Sequence, residues 1–543
     1  MKRLVGAVVL VVLIALAGCT TAVEKTDDAQ IQFETVSNET GFSYEGRDTS
    51  WFRNGNAGVY VLDYDRDGWQ DVLAIGGERP ALMENDGGTF ERSGALPAID
   101  DRVKSATVVD FDDDGTDDVI LFRPYDSPIA IRNTLDGFER TDIGLGNLSY
   151  PAGGAVADYD GDGDEDLFVY QTGDWKRHQP AGYSSVTLQV ANDNGNPNYL
   201  YENVNGTYRR VATDTFEGER WSLAASFVDL NDDGRPDVHI AEDYNNDTIY
   251  LNQGDDGFTQ RFLNQNTARN GMTSEIADVN GDGRLDIFVS NIGIPFQTAN
   301  VSDGRQRLYE NLLGHLMHSS RMKGNNLLLN QGDGTFVDRA SAYGVRVGGW
   351  GWAASLVDFD NDGQRDLIHA TQNVAELHPD DPIYTYPMLF ERTGDTFTRL
   401  DASDRGLREV DGRGLATFDY DRDGDQDILA GRIRGDFLLY ENVVSTDPNS
   451  LELRVTDGAN GTVYGATVIV DGQRKRTLVQ HHATGFLSMD TRIKHVGLGS
   501  TAEVDLRVTW PDGTERTFEG VKANQRLRVT RDGLETVTTF EAD

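Results

Sequence analysis

From about residue 31 onward the hydrophobic positions fall in short runs closed by glycine, asparagine or aspartate. Gly58-Val59-Tyr60-Val61-Leu62 and Val72-Leu73-Ala74-Ile75 are typical of them. Short runs rich in β-branched and aromatic residues, bounded by turn formers, predict strands and not helices. After residue 448 the pattern changes to strict alternation, as in Leu451-Glu452-Leu453-Arg454-Val455 and Val504-Asp505-Leu506-Arg507-Val508. Alternation of this kind predicts half-buried strands. The chain therefore reads as all-β, in two regions of different character.

Within the first region one acidic loop recurs between paired runs. The pattern Asp-x-Asp/Asn-x-Asp-Gly-x-x-Asp starts seven times, at spacings of 47, 48, 71, 49, 80 and 61 residues. Its oxygen-bearing positions one, three, five and nine are Asp63, Asp65, Asp67 and Asp71, then Asp110, Asp112, Asp114 and Asp118, then Asp158, Asp160, Asp162 and Asp166. The fourth and fifth copies hold Asp229, Asn231, Asp233 and Asp237, and Asp278, Asn280, Asp282 and Asp286. The last two hold Asp358, Asp360, Asp362 and Asp366, and Asp419, Asp421, Asp423 and Asp427. Alternate side chains in a tight turn converge on one point, and glycine at position six supplies the positive φ that bends the chain around it. So many hard oxygen donors suit Ca²⁺ better than Mg²⁺, with a backbone carbonyl at position seven as a further ligand. About seven Ca²⁺ sites are expected. An EF-hand is excluded, because position twelve is Ala74, Leu121, Val169, Ile240, Val289, Ala370 or Ala430 and never glutamate.

A unit of about 47 residues holds four short strands. Its second half shows as glycine-rich hairpin turns at 252–258 and 330–336, with weaker copies at 85–90, 203–208 and 392–397. The seventh repeat lacks a final strand, and residues 31–41 read as an outer strand without a repeat of its own. That segment is expected to complete the seventh unit and hide its edge. Over about residues 31–445 the repeats resemble the FG-GAP/VCBS family, which implies a calcium-binding, seven-bladed β-propeller. Tyr464-Gly465-Ala466-Thr467-Val468, Gly485-Phe486, His495-Val496-Gly497-Leu498-Gly499 and Trp510-Pro511-Asp512-Gly513 resemble the ASPIC/UnbV domain, with Val496 where that family has phenylalanine. The resemblance implies a small C-terminal β-sandwich over about residues 449–535. The whole arrangement is similar to that of bacterial relatives of cartilage acidic protein.

Charge and composition narrow the function. Against 90 Asp and Glu stand 49 Lys and Arg, of which eight are Lys, for a net charge of −41. Such a surface excludes generic nucleic-acid binding, and it fits an exported protein of a salt-loving organism. The single cysteine excludes a disulfide framework. It is Cys19, which closes a basic-then-apolar leader ending Leu16-Ala17-Gly18-Cys19 and resembling a lipobox. Residues 1–19 are thus expected to be a lipoprotein-type signal and 20–30 a tether, placing the body outside the cell on a lipid anchor.

No catalytic motif is present, and no catalytic residue is assigned. The expected function is adhesion or binding of an extracellular protein or glycan. A carbohydrate lyase or hydrolase on the same scaffold, or a structural envelope component, is the alternative. Three insertions, 171–198, 291–326 and 372–387, emerge opposite the acidic loops. Trp51, Trp175, Trp221, Trp350 and Trp352 are placed on that face as a candidate partner surface, with His178, His315, His318 and His378 in the insertions. The alternative for these aromatics is packing in the central channel. His481-His482 reads as a surface pair.

Overall fold

The computed structural model describes residues 31–47, 56–99, 102–134, 137–173, 195–263, 268–293, 323–372, 385–444, 448–458, 461–482 and 484–540. The fold is all-β, with a single 3-10 turn at Gly254–Asp256 among the described residues. Among the described residues, seven successive antiparallel units each contain four strands. The second is representative: Ser105–Val109, Asp118–Phe122, Ile129–Asn133 and Phe138–Thr141, hydrogen-bonded in chain order. The seventh is completed from the other end of the chain. Its strands Gly412–Phe418, Asp427–Arg432 and Leu438–Asn442 are joined by Phe33–Thr35, with Phe33 opposite Asn442 and Thr35 opposite Tyr440. This is the pairing anticipated for residues 31–41. It covers a strand edge that would otherwise be open.

Inner strands read as unbroken apolar runs because a neighbouring sheet packs on each of their faces. Gly58–Leu62, Asp71–Ile75, Ser105–Val109 and Asp118–Phe122 are buried at every position. Separate apolar clusters fill the gaps between units. Val61, Val72 and Met83 meet Phe418 and Leu439, Val109 and Phe122 meet Val156 and Leu167, and Ala157 and Phe168 meet Phe227 and Val238. Outer strands such as Thr89–Arg92 bury one side chain and expose the rest.

The first strands of successive units stand side by side. Gly58–Leu62 adjoins Ser105–Val109, which adjoins Pro151–Ala157 and then Trp221–Val228. Glu275–Ala277 adjoins Gly349–Val357, then Gly412–Phe418, which returns to Gly58–Leu62. Small polar side chains bridge these strands, as in Thr107 Oγ1 to Gly154 O at 3.0 Å and Ser226 Oγ to Ser274 O at 2.6 Å.

The C-terminal region forms two four-stranded sheets. One contains Lys494–Gly499, Asn449–Val455, Gln525–Val529 and Leu534–Thr539, and the other Lys475–Val479, Thr467–Asp471, Glu503–Thr509 and Glu515–Lys522. Leu451, Leu453, Val468, Leu506, Val508 and Trp510 share the core between them. Glu503–Thr509 alternates exposed and buried positions as its sequence predicts.

A turn from this region enters the ring of first strands. Ser488–Met489 pairs in parallel with Gly58–Leu62, and Thr484–Gly485 lies against Trp221–Val228 and Gly349–Val357. Leu487 O accepts Val59 N–H at 3.0 Å. Phe486 packs on Trp352 with ring centroids 4.6 Å apart.

That insertion corrects part of the expected partner surface. Trp221 and Trp352 are buried and Trp350 is half-buried. They lie in strands Trp221–Val228 and Gly349–Val357, which extend further than the sequence pattern indicates. A Cβ on Gly173 would sit 2.2 Å from the Trp221 ring. His481 and His482 are buried as well, not a surface pair, because they follow the C-terminal strand Lys475–Val479 and lie where this region meets the repeats, His481 beside Glu275, Arg365 and Thr417. His481 Nδ1 lies 2.9 Å from Val479 O and His482 Nε2 3.1 Å from Asp490 O, and burial pushes both imidazoles well below their ordinary range. Trp51, Trp175, Cys19 and the four insertion histidines lie outside the described residues.

Candidate metal centre

All seven acidic loops join the first strand of a unit to its second, and position nine is always the first residue of that second strand. Its carboxylate ties the loop to the sheet. Asp71 accepts Tyr64 N–H at 3.0 Å and Asn85 N–H at 2.8 Å. Asp118 accepts Phe111 and Asn133, Asp166 accepts Tyr159 and Asn203, and Asp237 accepts Leu230 and Asn252. Asp286, Asp366 and Asp427 repeat the arrangement with Val279 and Asn330, Phe359 and Arg392, and Tyr420 and Asn442. Two strong donors make burial of an otherwise costly carboxylate tolerable.

The turn itself has a fixed geometry. Position six is glycine with φ between 78° and 101° in every copy, as its place in the motif predicts. Its N–H donates to the carboxylate of position one, for example Gly115 to Asp110 at 2.8 Å and Gly363 to Asp358 at 2.8 Å. Position four is also left-handed in all seven, at φ 54° to 80°, although its residues are Arg66, Asp113, Gly161, Asp232, Gly281, Asn361 and Arg422. One oxygen of position five is taken by the N–H of position seven, as in Trp69 to Asp67 at 2.7 Å and Gln364 to Asp362 at 2.6 Å.

Positions one, three and nine then converge. In the first, second, third, sixth and seventh loops, one oxygen from each of these three aspartates lies within 4.8 Å of the others. In the fourth and fifth loops an amide replaces the acid of position three. Asn231 and Asn280 there donate Nδ2 to Asp233 and Asp282, each at 3.1 Å. Buried oxygens without a hydrogen-bond partner remain at Asp63 Oδ1, Asp112 Oδ1, Asp358 Oδ1 and Asp421 Oδ1. Burial above all, with neighbouring carboxylates adding to it, pushes Asp63 and Asp110 up to about 7, and Asp71 and Asp118 up to about 9. Orphaned acid oxygens at this spacing fit a hard divalent cation, whose charge would return these carboxylates to the ionised form. Several loops can therefore hold metal ions.

The C-terminal sheets sit on this acidic face. Arg492 pairs with Asp117 at 2.8 Å and Glu165 at 3.5 Å, both at position eight of their loops. Arg526 bonds Glu452 at 2.6 Å and Gly68 O at 3.0 Å, and approaches Asp419 at 3.5 Å. Ser450 Oγ donates to Gly424 O at 2.8 Å. Sequence reasoning missed position eight. Its signal in these two loops is an acid between the expected backbone ligand at position seven and the acid at position nine.

The comparisons with known proteins agree with this arrangement. FG-GAP-like repeats match at residues 63–121, 188–240, 229–289 and 316–369, and the ASPIC and UnbV family matches at 456–535. Cartilage acidic protein 1 of Xenopus tropicalis is 22% identical over 489 residues, which span 75% of this chain and 70% of that protein. A crystal structure of BBS1N in complex with ARL6DN, soaked with mercury, superposes with a TM-score of 0.42 at 9% identity, over 75% of this chain and 98% of that one. The chain is a distant relative of cartilage acidic protein 1 that carries FG-GAP-like repeats, which fit a β-propeller, followed by an ASPIC and UnbV domain.

Proposed function

We propose that this is an extracellular, lipid-anchored binding or adhesion module: a seven-bladed β-propeller over residues 31–445, held by Ca²⁺, with a C-terminal β-sandwich. All seven loops take Ca²⁺, five through three acid ligands and two, with Asn231 and Asn280, more weakly. The observation that carries the reading is that in five loops the position-nine aspartate belongs to the acid cluster and to the sheet's hydrogen bonding at once, as Asp71 does. An ion held that way cross-links strands, which is a structural role. The C-terminal sheets also occupy part of the acidic face, so we assign a macromolecular partner to the opposite face, from which the three insertions are expected to emerge.

The test uses the full chain loaded with Ca²⁺ on glycan and extracellular-protein arrays, beside Trp175→Ala. Ca²⁺-dependent capture is expected, and the variant should lose it by about tenfold or more, the effect of removing a binding hot spot, at an unchanged melting temperature. Turnover of a glycan substrate, with no stable capture, would favour the enzyme instead. Anchoring is checked separately by Cys19→Ser, which should move the protein from the detergent to the aqueous phase.

A further inference from the structure

The metal loops differ in how far solvent reaches them. In the third loop Asp160 is exposed and Asp158 half-buried. In the sixth, Asp358, Asp360 and Asp366 are 4%, 8% and 1% exposed. The sequence motif is the same, so the difference comes from what lies on top. Over the sixth loop runs the C-terminal strand Lys494–Gly499. Gly497 N–H donates to Asp358 Oδ2 at 3.2 Å, and Gly499 N–H donates to Asn361 O at 2.8 Å. The approach is as close as backbone allows: a Cβ on Gly497 would lie 2.3 Å from Asp358 Oδ2 and 2.4 Å from Asn361 Cα. Beneath this strand Asp358 Oδ1 is buried without a hydrogen-bond partner, and Asp358, Asp360 and Asp366 each bring one oxygen within 4.8 Å of the others.

We propose that the C-terminal unit is the closing wall of the sixth loop, so that a divalent cation there exchanges only when the unit lifts, while a third-loop cation exchanges directly with solvent. The inference rests on the calcium reading above. Cation and wall support each other. The ion fixes the Asp358 carboxylate that receives Gly497, and the docked strand removes the water through which the ion would leave. By linkage, whatever loosens the unit releases this ion faster, and stripping the ion loosens the unit.

The full chain, loaded with Ca²⁺ and mixed rapidly with excess fluorescent chelator, should release its ions in a fast and a slow phase. Asp360→Ala, which leaves no oxygen at position three, should remove one ion from the slow phase and none from the fast, and Asp160→Ala the reverse. Gly497→Ala should speed the slow phase by about tenfold or more, equivalent to about 1.4 kcal/mol, and leave the fast phase unchanged. Release in one phase, or a slow phase that survives Asp360→Ala intact, overturns the proposal. Amide exchange at Gly497 and Gly499 gives a second measurement that needs no variant: protection with Ca²⁺ that is lost on chelation supports the wall, and rapid exchange in both states overturns it. Equilibrium dialysis separates the two levels. No bound Ca²⁺ defeats the calcium reading and this inference together, whereas bound Ca²⁺ leaving in a single phase defeats this inference alone.

Discussion

An aspartate at position nine serves two groups at once. It accepts two backbone N–H groups from its own sheet and turns its remaining lone pairs toward two further aspartates. Without a cation it resolves the conflict by holding a proton. Burial raises the Asp71 carboxyl from 3.8 to about 9, so at neutral pH the folded, cation-free chain keeps a proton that the unfolded chain has lost. The folded state then binds more protons, and stability falls as pH rises between these two values. Chelated protein should therefore melt higher at pH 5 than at pH 8, and the rise on adding Ca²⁺ should be larger at pH 8. A melting temperature of the chelated protein that is flat or rises over this interval would contradict the burial argument. At this scale position six was legible, because only glycine adopts φ near 85° without strain. Position four was not, since Arg66, Asp113, Gly161 and Asn361 share a conformation and no chemistry. Arginine in that region carries a steric cost, offset at Arg422 by its stacking 3.7 Å above the Trp69 ring.

Between elements, the recurring asparagine near the end of the third strand adds a directional bond to the hydrophobic packing: it ties each unit to the acidic loop of the unit before it. Asn133 Nδ2 bonds Tyr64 O of the preceding loop, Asn203 bonds Phe111 O, Asn252 bonds Tyr159 O and Asn330 bonds Leu230 O. Asn442 bonds Phe359 O, and Asn85 reaches Tyr420 O across the closure. In the sixth unit Arg392 stands in the asparagine's place and its guanidinium bonds Val279 O. The glycine-rich turns were visible in the sequence, and the asparagine with them, but its partner belongs to another repeat and local pattern cannot supply it. The turn after Asn133 escaped notice because Thr-Leu intervenes before Asp-Gly-Phe. Asn330 also bonds Leu285 O at 3.0 Å and accepts Gly332 N–H at 2.9 Å. Asn330→Ala would leave these buried groups unsatisfied and should cost about 2–4 kcal/mol in urea unfolding at saturating Ca²⁺. A loss below about 0.5 kcal/mol, the range of ordinary surface substitutions, would show that the inter-unit bond is dispensable.

For the whole molecule the decisive quantity is where the charge lies. Residues 448–543 carry 12 Lys and Arg against 13 Asp and Glu, so nearly all of the net −41 belongs to the residues before them. The nearly neutral unit lays Arg492 and Arg526 on the acidic face, and its inserted turn occupies the ring of first strands. Sequence alone revealed two regions but not their docking. The alternation that predicts a strand is blind to what covers it, so His481, Trp221 and Trp352 were placed at the surface. Self-repulsion of the acidic face is the burden that bound cations are proposed to relieve. The most direct test is calorimetric titration of Ca²⁺ into the chelator-stripped full chain, with the melting temperature followed in parallel. Binding of about seven ions in a tighter class of five and a weaker class of two, with a large rise in melting temperature, is the predicted result. One ion or none, with no stabilisation, would contradict the account.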